Sequence, residues 1–322
     1  MSCRRHTTSS RPTSWPTTST SCAPSAIARV GSSGRRREGG SGSSTTIRTS
    51  PSPAFVTTAS AMSPSRSKPE SRPMRIVSLC PSLTELVFDL GAGDELVGIT
   101  RFCIHPADRV GEVEKVGGTK DPDVERIIEL APDLVLLNNE ENRLEDAEAL
   151  AAAGVPCHSS MPRTTEETAE MVRSIAAAIG RAEAGEEIAR DIEDRSARVR
   201  AAARGRAPVR WAYLIWRKPW MSVNRDTFVD ALLSQAGGIN VFADRETRYP
   251  EITPAELAAA RPDRVFLCTE PFLFKDEHID ELSELTGLSR ERFRIVDGEY
   301  LSWHGSRTPD GIDYAAALIA GG

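Results

Sequence analysis

"APDLVLLNNEE" occupies residues 131–141. An apolar run, Leu134 to Leu137, passes directly into two amides and two acids, Asn138, Asn139, Glu140 and Glu141. The phrase returns at residues 261–271 as "RPDRVFLCTEP", with the same Pro-Asp, the same apolar run and the same late acid. Glu140 lies eight residues past Pro132, and Glu270 eight past Pro262. A short apolar run bounded by turn residues reads as a buried strand. Two copies at one offset predict two related lobes, each delivering a carboxylate from a strand end.

The flanking sequence alternates in the same way. "RIVSL" and "LVGIT" read as strands on either side of the helix "PSLTELVFDLG", where Ser82 and Glu85 fit a capping box and Gly91 a stop. "DPDVERIIELA" reads as a helix capped by Asp121 with Pro122 in its first turn. "RLEDAEALAAAG" is a helix and "VPCHSS" a short strand. A long polar helical region then runs from Thr165 to Arg204, broken only near Gly180, with Ile188, Ile192 and Val199 as its apolar face. After Pro208 the alternation restarts with the strand "VRWAYLIW" and the helices "DTFVDALLSQAGG" and "TPAELAAA". In the latter, Thr253 and Glu256 form a second capping box. "DRVFLC" and "FRIVDG" are strands, and "DGIDYAAALIA" is a closing helix. The expectation is an α/β protein. Two Rossmann-like lobes with parallel sheets, residues 74–163 and 205–322, are joined by one long backbone helix within 164–204.

Composition sets outer bounds. Residues 1–73 carry 11 Lys/Arg against 2 Asp/Glu, so residues 74–322 carry −15 within a total of −6. An acidic globular part lacks the basic face that a phosphate backbone requires, which argues against nucleic acid. Residues 1–73, rich in Ser, Thr, Pro, Gly and Arg, are expected to be disordered, and "MRIVSLCPS" suggests Met74 as the true start. Neither "APSAIARVG" nor "SPAFVTTASAM" supplies the apolar core of an export signal, and no stretch has the length of a membrane span. Of six cysteines, Cys80, Cys103, Cys157 and Cys268 are far apart with no C-x-x-C pair, so thiols rather than a disulfide framework are expected.

In open α/β sheets ligands sit beyond the carboxyl ends of the strands. Those ends are rich here: Ser82, "RFCIHP" (101–106) and "NNEE" in the first lobe, "WRKPW" (216–220), "TEPFLFK" (269–275) and "SWHGSR" (302–307) in the second. Glu140 and Glu270 either enter a shared cleft or are solvated or cap a following helix; in the cleft they would accept hydrogen bonds from the amide side chains of a ligand, or pair with Lys120, Arg217 or Lys275 to hold it closed. Cys103 and His105 form the only close Cys/His pair, either a fragment of a metal site or a buried thiol beside a turn histidine. Trp220 and Trp303 sit in loops and read as ligand contacts. Trp216 lies on or just past a strand, where packing competes. His304 is either an exposed loop histidine or an axial ligand for a metal-bearing macrocycle. No G-x-S-x-G, H-E-x-x-H or phosphate-loop motif is present, so an enzyme, such as a metal-dependent hydrolase, is the lesser alternative.

These blocks resemble the helical-backbone class of periplasmic binding proteins, which capture vitamin B12, iron–siderophores and heme for ABC importers. The resemblance runs from Met74 to Ile319 and is carried by "RIVSLCPSLTELVFDLGAGDELVGIT", "APDLVLL", the middle helical region and "DTFVDALLSQAGGINVFAD". "FCIHP", "VGGTK", "EEN", "IWRKPWMSV", "RYPE", "EPFLFK" and "SWHGSR" bring it closest to the cobalamin-binding, helical-backbone metal receptor subgroup. The resemblance implies a monomeric binding protein, not an enzyme, that delivers a corrinoid such as cobalamin or cobinamide to an ABC permease. An iron chelate, heme or a transition metal is the alternative cargo. It implies ligand contacts at Ser82, Phe102, Cys103, His105, Glu140, Glu141, Trp216, Arg217, Trp220, Tyr249, Glu270, Phe272, Trp303, His304 and Arg307, with Cys103 and His105 as the candidate metal pair. It also implies permease docking through one acid per lobe, here Glu145 and Glu256, each displaced by one residue from the subgroup's pattern. The family's role implies the cell envelope, whereas the sequence shows no export core, so either the true start is mis-assigned, an upstream signal is missing, or the subgroup works in the cytosol. A helix-linked pair of rigid lobes is expected to close through only a small angle.

Overall fold

The computed structural model describes residues 72–321. The expectations for residues 1–71, disorder among them, lie outside the described residues. The first lobe runs β1 (Ile76–Ser78), α1 (Pro81–Asp89), β2 (Leu96–Ile99), α2 (Val124–Glu129), β3 (Leu134–Asn138), α3 (Leu144–Ala152) and β4 (Cys157–Ser160). Its sheet has the order β2-β1-β3-β4 and is parallel throughout. All five residues of β3 are buried, as expected where helices cover both faces of a parallel sheet. The side-chain period of two sorts them. Ile76, Leu134 and Leu136 join the main core, while Val77, Val135 and Leu137 join a smaller cluster on the opposite face.

Next come α4 (Thr165–Ala178) and α5 (Ala182–Ala203). The break expected near Gly180 is a full reversal, with Gly180 at φ 71°, so the connection is a helical hairpin rather than one helix. Gly185 lets the two helices touch, since a Cβ there would lie 2.2 Å from that of Ala176. Arg173 of α4 holds Glu186 and Glu193 of α5 at 2.7 and 2.6 Å. The longer helix α5 spans the lobes: Arg181 at its start pairs with Glu95 of the first lobe, and Arg195 pairs with Asp310 and Asp313 of the second.

The second lobe runs β5 (Val209–Trp216), β6 (Trp220–Ser222), α6 (Phe228–Gln235), β7 (Gly238–Asn240), β8 (Glu251–Ile252), α7 (Pro254–Ala260), β9 (Arg264–Cys268), α8 (Asp276–Thr286), β10 (Phe293–Val296), α9 (Gly298–Ser302) and α10 (Thr308–Ala320). Strands β10, β9, β5 and β7 are mutually parallel, as expected. The sheet then departs from the expectation, because β6 and β8 add antiparallel strands beyond β5. Residues 216–220 therefore turn a hairpin instead of ending the sheet.

The repeated Pro-Asp is explained atom by atom. Ala131 and Arg261, which precede it, both adopt left-handed backbone, φ 46° and 48°. Asp133 accepts a hydrogen bond from the Arg75 backbone N–H at 2.9 Å, and Asp263 accepts one from Arg210 N–H at 2.9 Å. Each arginine turns back to donate to a carbonyl at the end of the preceding helix, Leu130 and Ala260. The same device thus fastens helix end to strand start in both lobes.

Two capping expectations are corrected. Cys80, not Ser82, is the N-cap of α1, and Glu85 is drawn away by an ion pair with Arg307. Asp123, not Asp121, caps α2 by accepting from Arg126 N–H. The capping box of Thr253 and Glu256 forms as expected.

Candidate functional site

The polar strand ends of both lobes face one cavity of about 560 Å³. The turn after β3 is built by two asparagines. Asn138 Oδ1 accepts from the backbone N–H of Glu140 and of Glu141, at 2.9 and 3.2 Å. Buried Asn142 accepts from Asn138 N–H and donates to the carbonyls of Leu79 and Thr119, at 2.9 and 3.0 Å. The amides therefore hold the turn while the acids reach the cavity. Glu140 then crosses to the other lobe, where it accepts from the Tyr249 hydroxyl and pairs with Arg248 at 3.0 Å. Burial, followed by the Glu140 charge, pushes the Tyr249 pKa up.

The turn after β9 is positioned by close backbone packing. A Cβ on Gly298 would lie 2.8 Å from the backbone N and O of Glu270, so only glycine admits this approach. Gly298 N–H also donates to Thr269 Oγ1 at 3.0 Å. Glu270 accepts from Trp303 Nε1–H at 2.9 Å. Burial raises the Glu270 pKa, opposed by that hydrogen bond and assisted by the nearby Glu299 and Glu141.

Nine of the anticipated contacts line the cavity: Ser82, Phe102, Glu140, Glu141, Trp216, Tyr249, Glu270, Trp303 and His304. Trp303 is 6 % exposed and belongs to a lobe-to-lobe cluster. His105 meets its edge at 5.4 Å and the Arg307 guanidinium lies over it at 5.2 Å. His304 is buried at 7 % exposure, not an exposed loop residue. Burial, aided by Arg248 and opposed by the backbone of Pro162, lowers its pKa to about 4. Its Nε2 has no partner.

Six anticipated contacts take other places. Cys103 points into the core, its Sγ 3.1 Å from Thr84 Oγ1 and 3.2 Å from Thr100 Oγ1. His105 instead pairs with Glu299 of the other lobe at 3.0 Å. The two side chains diverge, the thiol into the core and the imidazole toward Glu299, and among the described residues no three His, Cys, Asp or Glu gather as a metal site. Arg217 is held by Glu281 at 2.8 and 2.9 Å and lies over Trp220. Trp220 stacks on Phe274, and Phe272 supports Trp216 edge-on from behind. Arg307 grips Glu85 across the lobes and also meets Glu299. Lys120 donates to the Glu140 carbonyl at 2.6 Å. Of the docking candidates, Glu145 lies in the first turn of α3. Glu256 is committed to Arg245 and Thr253, which lower its pKa to about 2, Arg245 foremost.

The sequence reading missed the apolar floor: Tyr213, Ile215, Met221, Val223 and Phe228. Alternation along β5 was a usable signal for Tyr213 and Ile215. The others arrive through the hairpin to β6. Cys80 also lines the cavity, and burial pushes its thiol to about 12, so it is an inert wall group. Cys80, Cys103 and Cys268 are all buried.

A family model described as periplasmic binding protein matches residues 76–290. A vitamin B12-binding protein of Vibrio cholerae is 25% identical over 247 residues, 76% of this chain and 88% of its own length. One from Vibrio parahaemolyticus is 29% identical over 192 residues, 60% of this chain and 70% of its own. Among solved structures, a periplasmic heme-binding protein from Roseiflexus sp. RS-1 superimposes with a TM-score of 0.67 at 29% identity, over 76% of this chain and 97% of that one. The periplasmic vitamin B12-binding protein of Vibrio cholerae gives 0.66 at 23%, over 76% and 95%, a likeness of fold. With two α/β lobes, a helical link and a cavity between them, this chain belongs to the periplasmic binding protein family, as a substrate-binding component rather than an enzyme.

Proposed function

We propose that this protein captures a corrinoid, cobalamin or cobinamide, between its lobes and delivers it to an ABC permease. The observation that carries this reading is the cavity, walled by Phe102, Trp216, Tyr249 and Trp303 with carboxyls from both strand ends. Aromatic faces supply stacking area to a flat macrocycle. Carboxylates and a neutral imidazole supply acceptors to the amides around a corrin. A cavity of about 560 Å³ falls within the range of small-molecule sites but is smaller than a whole cobalamin. The corrin therefore enters and any nucleotide arm projects past Phe102 and Trp216, which are 50 % and 41 % exposed. The similarity to vitamin B12-binding proteins supports this direction.

Heme or an iron chelate is the second reading. It is favoured by the neutral His304 at the cavity and by the likeness to the Roseiflexus heme-binding protein. Absorbance titration with cyanocobalamin, cobinamide and hemin at micromolar protein separates the two. Failure to bind either corrinoid removes the first reading.

Delivery would use one acid per lobe. Glu145 is the candidate on the first; Glu256 would have to leave its cap and Arg245 to serve on the second. The protein would act as a monomer at the cell envelope. Among the described residues no helix is long and apolar enough to cross a membrane.

A further inference from the structure

We infer that the cavity selects its ligand by charge: it accepts a flat ring whose rim is uncharged and rich in amides, and turns away the same ring when the rim carries carboxylates. This rests on the macrocycle-capture reading and specifies the substrate class. Three acids line the cavity, Glu140, Glu141 and Glu270, against one cation, Lys120. That ammonium already donates to the Glu140 carbonyl. The guanidiniums nearby are committed as well: Arg248 to Glu140 and Asp226, Arg307 to Glu85 and Glu299, and Arg217 to Glu281. A ligand carboxylate entering here meets net negative charge, three acids against the single Lys120 ammonium, which is shared with the Glu140 carbonyl and lies in the field of Glu141. Burying an unpaired charge is costly, and a like charge alongside raises the cost.

Two unpartnered atoms complete the argument. Asn138 and His304 line the cavity, are 1 % and 7 % exposed, and leave Nδ2 and Nε2 respectively without hydrogen bonds. Held neutral by burial, His304 has one acceptor nitrogen, and in the tautomer protonated at Nδ1 that acceptor is Nε2. Asn138 Nδ2 offers a donor. Both atoms are themselves covered, so with a small shift of the wall a primary amide would satisfy both, donating to His304 and accepting from Asn138. A carboxylate has nothing to donate and leaves His304 unmet. Buried polar groups lacking partners are uncommon, and a ligand with matched groups relieves them.

Two corrinoids with one ring isolate the rim: dicyanocobinamide, which carries amides, and dicyanocobyrinic acid, which carries carboxylates. Absorbance titration of the full chain at pH 7 is expected to show cobinamide binding at least about tenfold more tightly, a modest outcome for like charges a few ångströms apart. In the Glu141→Gln/Glu270→Gln variant the ratio should shrink because cobyrinic acid gains affinity. Near-isosteric amides keep the wall shape, and an unchanged circular dichroism spectrum checks the fold. Equal affinity in the native protein, or a ratio the variant leaves unmoved, overturns the charge filter while corrinoid capture stands. If neither corrinoid binds, corrinoid capture fails, and hemin against its diamide puts the same question to the second ring. Preference for the diamide upholds the filter; hemin bound as well as the diamide defeats it.

Discussion

The turns at residues 138–142 and 268–271 begin from the same template and end in different roles. Both follow a strand pinned by an aspartate, Asp133 or Asp263, and both carry an acid eight residues past a proline. In the first turn a pair of asparagine side chains makes the geometry, and the acid reaches across to Tyr249 and Arg248. In the second the geometry comes from the missing side chain of Gly298, and the acid stays within its lobe on Trp303. Strand register is a backbone property and repeats with the template. The fate of the acid depends on what the rest of the chain places opposite it. Glu140 therefore acts as a tie between lobes and Glu270 as a polar wall of the cavity.

The sharpest way to break the comparison uses opposite substitutions. Asn142→Ala removes three buried hydrogen bonds at the first turn. Leaving their partners unsatisfied should cost about 3 kcal/mol in urea denaturation. Gly298→Ala, which adds a methyl group against the Glu270 backbone, should cost about 1–3 kcal/mol by overpacking. An alanine tolerated at 298 would show that backbone packing does not set the second turn.

Acid titration separates the wall groups next. The pKa of His304 is about 4 in the fold against 6.5 ordinarily. Below the unfolded value the unfolded chain binds a proton that the native chain refuses. Stability should therefore fall between about pH 6.5 and 4, by roughly 3 kcal/mol for this shift. Glu270, raised by burial, has the opposite sign: its contribution is present below the unfolded pKa and is lost as pH rises through the folded one. His304→Gln should flatten the acid slope seen in denaturation at pH 7 and pH 4.5, and Glu270→Gln should steepen it.

The template itself was legible because its signals are local. Pro-Asp, the apolar run and the acid lie within eleven residues, and their spacing fixed both strand ends correctly. Four of the aromatics and three of the acids named from the sequence line the cavity. What escaped depends on distant partners. Glu85 was assigned to a local cap, yet its partner Arg307 lies 222 residues away. Cys103 and His105 are neighbours in sequence, but the loop sends one to Thr84 and the other to Glu299. The hairpin to β6 was invisible because three residues, Trp220–Ser222, carry too little periodicity. Trp303 read as a loop contact, but its burial under Arg307 and His105 makes Trp303→Ala a change of stability as well as of affinity.

A smaller effect tests the repeated device directly. Asp133→Ala and Asp263→Ala remove equivalent hydrogen bonds from β1 and β5. Each should cost about 1–2 kcal/mol, and the two values should agree within the error of chemical denaturation. Unequal costs would show that the lobes share the motif without sharing its energetics.

The smallest effect concerns the tie between lobes. Glu140 meets Tyr249 and Arg248 on one side of the cavity, while Glu85–Arg307 and His105–Glu299 join the lobes elsewhere. Partly exposed ion pairs contribute on the order of 1 kcal/mol or less, so Glu140→Gln with Tyr249→Phe should barely move the melting midpoint. The consequence is geometric instead. With the helical hairpin and the other cross-lobe pairs intact, the lobes should separate only slightly, visible as a small rise in radius of gyration by X-ray scattering. Glu270→Gln, whose hydrogen bond to Trp303 stays within the second lobe, should leave that radius unchanged. A large expansion in the Glu140 variant would mean that this single tie holds the cavity closed and that the hairpin is a hinge. Equal behaviour of the two variants would erase the distinction between the tie and the wall.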